Sequence, residues 1–296
     1  MREPPQVRLL PDGRRLYLHD GPIDLIVEAF GTQEEVQSAY RAAAHRFVTV
    51  LDELCSELPL LRLPARSGVS LPSGVVARRM ALAVAPYAER CFITPMAAVA
   101  GAVAEEILEA MTSAATLAKA YVNNGGDIAF HLSPGEQFVA GMIECPDRPS
   151  LFGAVTLQAS QPVRGIATSG WRGRSFSLGI ADAVTVLADH AAMADAAATI
   201  IANAVNLPGH PNIVRQPACE IAPDCDLGNY PVTRFVGELL PTETGAALAA
   251  GAAVAESLLA AGLIRSAALC LNRETRVVAP PDAASMLSSS RSLVHA

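Results

Sequence analysis

The stretch from residue 120 to residue 190 constrains the fold of this chain more than any other part of its sequence. Short runs of alternating or continuous apolar residues follow one another there, and glycine or proline separates them. The runs are Val122–Asn124, Ile128–Leu132, Phe138–Glu144, Val155–Ala159, Ile166–Ser169, Phe176–Leu178 and Ala183–Ala188. Links as short as Ser133-Pro134-Gly135 leave no room for a crossover helix, so these strands are predicted to form an antiparallel sheet.

Helical patterns lie on both sides of this stretch. Thr32 and Glu35 form a capping box for a helix to about Glu57, and Thr94-Pro95 is a typical helix start. The other predicted elements are a hairpin of Val7–Leu10 and Arg14–His19, a strand Asp24–Phe30, helices from Ser73 to about Tyr87, at 191–206 and at 242–261, a strand Thr233–Gly237 and a closing hairpin at 263–279. The Pro-rich residues 207–231 predict no regular structure. Because strand runs are separated from helix runs, the predicted class is α+β, with antiparallel sheets and packed helices.

Composition excludes several classes of function. Hydrophobic residues make up 51% of the 296 residues, which is enough for one large domain or two packed lobes. The net charge of −7 gives no basic face for nucleic acid. The apolar stretches at 191–205 and 246–264 contain Asp195 and Glu256 and do not read as membrane spans. The first residues show no signal peptide, so a cytoplasmic protein is expected.

Asp195 and Thr199 are the first candidate site. They are four residues apart, so a helix places the carboxylate and the hydroxyl on one face, one turn apart. Two hard oxygen donors suit Mg²⁺, which completes its shell with water or substrate phosphates. The alternative is that Thr199 bonds back to a carbonyl of the preceding turn.

Two glycine-containing segments are candidates for ligand contacts. Gly125-Gly126 permits positive φ and close approach of a ligand, with Asn123, Asn124 and Asp127 as hydrogen-bonding neighbours; a β-bulge or a tight hairpin turn is the alternative. Thr168-Ser169-Gly170 offers hydroxyls and amides at a strand end, which suits phosphate oxygens, although a simple Ser/Thr turn has the same sequence.

Two further groups have a structural and a functional interpretation. Arg62, Arg66, Arg78 and Arg79, which flank a Pro-, Arg- and Ser-rich loop at 58–74, are interpreted as part of a solvated face in preference to an anion site. Cys219 and Cys225 are interpreted as reduced core thiols, because no spacing matches a known zinc framework, with a soft metal site as the alternative.

The order of the segments "VNNGGDI", "ATSG" and "ADAAAT" resembles the ApbE-like FAD:protein FMN transferases over roughly residues 90–206. The segments "ITPMAAVAGAVAEEIL", "VNNGGDIAFHL" and "ADAVTVLA" resemble more closely a shorter, soluble and uncharacterised branch related to that family. In this comparison Gly101–Glu105 takes the place of a small-residue segment that ends in an acid.

The resemblance implies an ApbE-like architecture over residues 1–282, with a cleft between two intimately packed lobes. Independently of it, the serine run predicts a disordered tail at 283–296. The resemblance also implies that Asp195 and Thr199 hold Mg²⁺ and that Asn124, Gly125, Gly126, Asp127, Thr168, Ser169 and Gly170 contact FAD. The reaction implied is transfer of FMN from FAD to a threonine of an acceptor protein, with release of AMP. The expected partners are this nucleotide-type molecule and the acceptor, with a homodimer left open, and neither nucleic acid nor a membrane.

The chain departs from the family at one motif. The transferases carry "H-x-x-D-P-x-T-G" between the "TSG" and "ADxxxT" motifs, whereas this chain has "SLGIADA" at 177–183, where only Asp182 offers a catalytic acid. Two alternatives to an Mg²⁺-dependent transferase therefore stand. One is a non-catalytic flavin- or nucleotide-binding module, and the other is an enzyme on the same scaffold that acts on another cofactor, such as a pterin in one-carbon metabolism.

Overall fold

The computed structural model describes residues 3–143, 151–280 and 287–289, with the backbone alone at 142–143, 151–154 and 287–289. The strands are β1 (Gln6–Leu9), β2 (Leu16–Asp20), β3 (Ile23–Phe30), β4 (Lys119–Asn124), β5 (Asp127–Leu132), β6 (Gln137–Ile143), β7 (Leu151–Gln158), β8 (Gly165–Ser169), β9 (Ala183–Ala188), β10 (Ile213–Pro217), β11 (Pro231–Val236), β12 (Ser266–Leu271), β13 (Glu274–Val278) and β14 (Leu287–Ser289). The helices are α1 (Gln33–Leu61), α2 (Val75–Val84), α3 (Val99–Ala114), α4 (Ala191–Ala204), α5 (Ala218–Ile221) and α6 (Pro241–Ala260). Two 3-10 helices, Ala85–Tyr87 and Pro95–Ala98, lie at the end of α2 and before α3.

The chain divides into two compact units. The first unit consists of Met1–Gln137, Gln158–Ala167 and Asp189–Ala196. The second unit consists of Phe138–Leu157, Thr168–Ala188 and Ala197–Ala296. Strand β8 and helix α4 each contribute residues to both units. The prediction of one ApbE-like domain over 1–282 stays a prediction.

The first unit is built on an antiparallel sheet with the order β1-β2-β3-β4-β5-β8. Alternation in β2 puts Leu16 and Leu18 into the core, as a half-buried strand requires. Helix α3 packs on β4 and β5 and against α1 and α2. Its side chains Ile107 and Met111 are fully buried, as is Phe47 on α1. This packing sets the first turn of α3 beside the β4–β5 turn.

The second unit contains the antiparallel strands β9, β12 and β13, on which α6 packs. Helix α6 approaches closely at Gly251, where a Cβ atom would lie 2.9 Å from the Leu269 side chain. A ribbon of β10 and β11 and a three-stranded sheet with the order β14-β7-β6 complete this unit.

These elements confirm the predicted α+β class and antiparallel sheets. The predicted strand Phe176–Leu178 is wrong, because the structure describes this segment as lying outside any strand. The Leu178 amide and the Ser177 hydroxyl both donate to Asn203 Oδ1, the amide at 2.9 Å, and the Ser177 carbonyl oxygen accepts the Thr233 amide of β11 at 2.9 Å. Residues 207–231, for which no structure was predicted, contain β10 and α5.

Helix α1 continues to Leu61, past the predicted end near Glu57, and buries the Leu61 side chain. Within the tail predicted to be disordered, the structure describes Leu287–Ser289 as a strand paired with β7, which corrects the prediction at these residues. The rest of that tail, and the end of the predicted strand Phe138–Glu144, lie outside the described residues. Within the described part of the chain, no helix has the length and apolarity that a bilayer crossing requires.

Candidate functional site

The Asp195 carboxylate lies at the beginning of helix α3, although it belongs to α4. The Gly101 amide donates to Asp195 Oδ2 at 2.9 Å, and the Ala100 amide also donates to this carboxylate. Both amides belong to the first turn of α3, which has no intrahelical acceptor for them. Asp195 therefore caps α3 across a sequence separation of 94 residues.

The surroundings of Asp195 disfavour its negative charge. Burial raises the pKa of the Asp195 carboxyl well above its usual range, and the nearby Asp127 raises it further. The two backbone amides act in the opposite direction and lower it. Two carboxylates that interact in a partly dehydrated place favour either a shared proton or a bound cation.

Asp127 reaches this place because of the turn between β4 and β5. Asn124 and Asp127 are opposite one another, and Gly125 and Gly126 form the two-residue connection with φ values of +67° and +115°. Only glycine adopts such a pair of conformations readily. The observed geometry is therefore that of a tight hairpin turn, which was the alternative interpretation of Gly125-Gly126. A ligand contact by Gly125 and Gly126 stays a prediction.

Asn124 connects the same turn to α3. It is buried, and its Nδ2 donates to the Ala100 carbonyl oxygen at 3.2 Å. The structure thus brings three predicted site residues, Asn124, Asp127 and Asp195, to the first turn of α3.

Helices α3 and α4 touch backbone to backbone beside Asp195. A Cβ atom on Gly101 would lie 2.3 Å from the Ala191 carbonyl oxygen, and one on Gly165 would lie 2.3 Å from the Ala191 amide nitrogen. Glu105 Oε1 accepts the Ala192 amide of α4 at 3.0 Å. Each helix therefore supplies a carboxylate that caps the first turn of the other, which is where a negative charge is most favourable.

The predicted segment Thr168-Ser169-Gly170 lies in the second unit, at the end of β8. Thr168 is exposed, and its hydroxyl is 2.9 Å from that of the buried Thr185. A Cβ atom on Gly170 would lie 2.4 Å from the Asp182 carbonyl oxygen, so this glycine is required for close packing. Phosphate binding by this segment stays a prediction.

Asp182, the predicted catalytic acid, also lies in the second unit and accepts three hydrogen bonds. Its donors are Trp171 Nε1 at 3.2 Å, Arg172 Nε at 2.7 Å and the Asn272 amide at 2.7 Å. The Arg172 guanidinium also stacks over the Trp171 ring at 4.5 Å. Asp182 thus holds the segment that follows Gly170 and the β12–β13 turn in place. Its predicted role as an acid is not tested by these contacts.

The fit to Mg²⁺ depends on oxygen donors. Among the residues that the structure describes, no group of three His, Cys, Asp or Glu side chains is arranged to ligate a metal. Mg²⁺ at Asp195 would accordingly complete its shell with hydroxyl, amide or carbonyl oxygens, water and phosphate, which is its usual coordination in proteins. Thr199, the second predicted ligand, is half-buried on α4 and belongs to the second unit.

Cys219 and Cys225 are half-buried, so the interpretation as core thiols is wrong for them. The Cys219 thiol donates to Asn229 Oδ1 at 3.2 Å, and both cysteines are free thiols.

Sequence reasoning missed the role of Arg79. This side chain is 21% exposed and pairs with three acids of α3, so the interpretation as part of a solvated face is wrong for it. No sequence signal places α2 beside α3, because the contact depends on tertiary packing.

Comparisons with known proteins show which family this chain resembles over most of its length. The family model described as AbpE bacteria matches residues 7–277. A UPF0280 protein of Methanopyrus kandleri is 37% identical over 198 residues, which cover 65% of this chain and 75% of that protein. A UPF0280 protein of Methanococcoides burtonii is 37% identical over 133 residues, which cover 41% of this chain and 49% of that protein. The apo structure of Pseudomonas stutzeri flavinyl transferase ApbE aligns with 95% of this chain and 97% of its own, at 10% identity and a TM-score of 0.40.

Proposed function

This chain belongs to the family described as AbpE bacteria, a branch related to the ApbE flavin transferases, and on that premise we propose that it binds FAD together with Mg²⁺. One observation carries the proposal. The Asp195 carboxylate joins the first turn of α3 at Gly101 and interacts with Asp127 of the β4–β5 turn. A divalent cation would neutralise this pair of carboxylates and at the same time attract phosphates.

The proposed site uses residues of both predicted motifs. Asp195 and Thr199 would hold Mg²⁺, which when bound polarises a phosphoryl oxygen of FAD. The nucleotide would be oriented by the β4–β5 turn at Asn124–Asp127 and by the hydroxyls and amides of Thr168–Gly170. In the transferase reaction, the threonine oxygen of an acceptor protein forms a bond to the FMN phosphorus, and the bond from that phosphorus to AMP breaks. The acceptor, the cytoplasmic location and a homodimer are part of this proposal.

A second candidate is a module that binds the flavin nucleotide without transferring it. The hydrogen bonds of Asp182 favour this candidate, because both oxygens of this carboxylate already accept donors from the protein and are held in place.

The test is titration calorimetry of the purified protein with FAD, with and without Mg²⁺, followed by an assay of the mixture for AMP. Asp195→Asn is expected to abolish the dependence of FAD binding on Mg²⁺. Glu256→Gln, which changes an exposed acid on α6, is the matched control and is expected to leave binding intact. Binding with AMP release supports the transferase, and binding without it supports the module. If FAD does not bind at all, the proposal fails and another cofactor, such as a pterin, becomes the candidate ligand.

A further inference from the structure

Arg79 on α2 forms ion pairs with three acids along α3. Its Nε lies 3.1 Å from Glu105 Oε2, its Nη1 lies 3.0 Å from Glu106 Oε2, and its Nη2 lies 2.7 Å from Glu109 Oε2. Nη1 also donates to the Ala102 carbonyl oxygen at 3.2 Å. The guanidinium is thus fixed by several directed bonds, a geometry that lysine does not reproduce.

The three acids are not equivalent. The Glu109 side chain is 65% exposed, whereas that of Glu105 is 15% exposed. An exposed ion pair contributes little to stability, because water and salt screen it. Glu106 is also poorly exposed, at 11%, but its Oε1 keeps the Arg46 Nε at 2.7 Å when Arg79 is removed. Removal of Arg79 therefore leaves Glu105 as the poorly solvated carboxylate that loses its arginine.

Glu105 transmits this contact to α4. While Oε2 pairs with Arg79, Oε1 accepts the Ala192 amide at 3.0 Å. Ala192 lies in the first turn of α4, three residues before Asp195. The exposed His190 imidazole also lies near Glu105, with its Nδ1 3.9 Å from Oε1. The Glu105 carboxylate therefore connects α2 to the first turn of α4, the helix that carries Asp195.

The junction of the two helices leaves little freedom for adjustment. Gly101 and Ala191 are in backbone contact, and the Gly101 amide donates to Asp195 Oδ2 at 2.9 Å. A shift of the first turn of α4 would therefore move the Asp195 carboxylate relative to this amide and to Asp127.

We infer that Arg79 is a positioning residue for Asp195, which acts through Glu105 and the Ala192 amide. This inference rests on the proposed function where it concerns Mg²⁺. Partners that orient a metal ligand typically change metal affinity about 10–100-fold when they are removed.

The test compares Arg79→Gln with the matched control Glu109→Gln, which removes only the exposed partner of Arg79. The first readout is hydrogen exchange of the Ala192 and Gly101 amides, measured by NMR. Arg79→Gln is expected to accelerate exchange at both amides about tenfold or more, as loss of a bond to a charged acceptor does, while Ile107 in the middle of α3 stays protected. Glu109→Gln is expected to leave all three amides unchanged.

The second readout is calorimetric titration with Mg²⁺ alone. Arg79→Gln is expected to weaken binding about 10–100-fold, and Arg79→Lys, which keeps the charge, is expected to be intermediate. If Arg79→Gln does not fold, Glu105→Gln serves instead, because its amide oxygen still accepts from Ala192 but no longer pairs with a cation; a loss of Mg²⁺ affinity then supports the inference.

The two readouts separate the two claims. If the unaltered protein does not bind Mg²⁺, the proposed function fails, and amide exchange alone decides whether Arg79 holds the helix junction. If both amides keep their protection in Arg79→Gln, or if its Mg²⁺ affinity equals that of an unaltered protein that binds the ion, the inference is overturned.

Discussion

Substitution of Gly101 by alanine tests whether the contact between α3 and α4 is as close as the structure describes. The new Cβ atom would lie 2.3 Å from the Ala191 carbonyl oxygen, 2.5 Å from its carbon and 2.7 Å from the Ala192 nitrogen. All three are backbone atoms, so no side-chain rotation relieves the overlap. The helices must separate, and the hydrogen bond from Gly101 to Asp195 lengthens or breaks.

The expected magnitude combines three contributions. Alanine is about 1 kcal/mol better than glycine inside a helix, which favours the variant. Overpacking against fixed atoms costs about 1–3 kcal/mol. Loss of a hydrogen bond to a charged acceptor costs about 1.5–3 kcal/mol. The net expectation is a loss of about 1.5–5 kcal/mol in the free energy of unfolding.

Urea unfolding followed by circular dichroism measures this loss. The matched control is Gly245→Ala on α6, because a Cβ atom there meets nothing within 4 Å. The control is expected to stabilise the protein by about 0.5–1 kcal/mol through helix propensity alone. The two substitutions are chemically identical and both lie in helices, so the opposite signs isolate the helix contact.

A Gly101→Ala variant as stable as Gly245→Ala would refute the reasoning. Such a result means that α3 and α4 lie further apart than described and that Asp195 does not cap α3. The reciprocal caps and the inference about Arg79 would then lose their structural basis.

Three further outcomes follow from the same structure. Arg273→Gly is expected to raise the free energy of unfolding in urea by about 1 kcal/mol, because Arg273 has a φ of +65° in the two-residue turn between β12 and β13. The control is Arg276→Gly in the neighbouring strand β13, which is expected to lower the free energy of unfolding. Asp182→Ala is expected to lower the free energy of unfolding by about 2–4 kcal/mol, because three donors lose their acceptor. The fluorescence emission of Trp171, the single tryptophan, is expected to shift to longer wavelength, and an unchanged emission spectrum would contradict this expectation. Burial and Glu28 raise the pKa of Tyr121 from about 10 to about 12, so the folded phenol keeps its proton in a pH range where the unfolded one loses it. Stability is therefore expected to fall as the pH rises from 10 to 12. Tyr121→Phe is expected to reduce this fall, measured as the urea midpoint at each pH, and an equal dependence of the midpoint on pH in both proteins would argue against the shift.

The sequence predicts the class of this fold well because local patterns determine it. The β-rich run, the short hairpin links and the N-cap at Thr32 each depend on residues that are close in the chain, and the structure has these elements. Of the predicted capping box the structure shows the Thr32 half, whereas Glu35 Oε2 accepts the distant Thr116 amide at 2.8 Å. The predictions that failed depend on contacts between residues that are distant in the sequence. The Phe176–Leu178 segment has an apolar pattern typical of a strand, but its amide bonds to Asn203 on α4, and no local signal marks such a distant partner.

The candidate site likewise has a part that the sequence predicts and a part that it does not. Motif order was sufficient to select Asn124, Asp127 and Asp195, which the structure places together at the first turn of α3. It was not sufficient to show what those residues contact. The cap on Gly101, the cap on Ala192 and the pairing of Glu105 with Arg79 join segments that are tens of residues apart, and only the packed helices bring them together.

Asp195 caps α3, and its proposed role as a metal ligand is compatible with that cap. A carboxylate that only caps a helix is expected to be stabilised by the amides it accepts, with a lowered pKa. Here burial and Asp127 outweigh the amides and raise the pKa of Asp195. The cap is therefore maintained at an electrostatic cost that a simple structural role does not require. A bound cation removes this cost, since it stabilises the charged form of Asp195 without breaking the bond to Gly101. The helix cap would then serve to orient the carboxylate, and the proximity of Asp127 would make the place selective for positive charge.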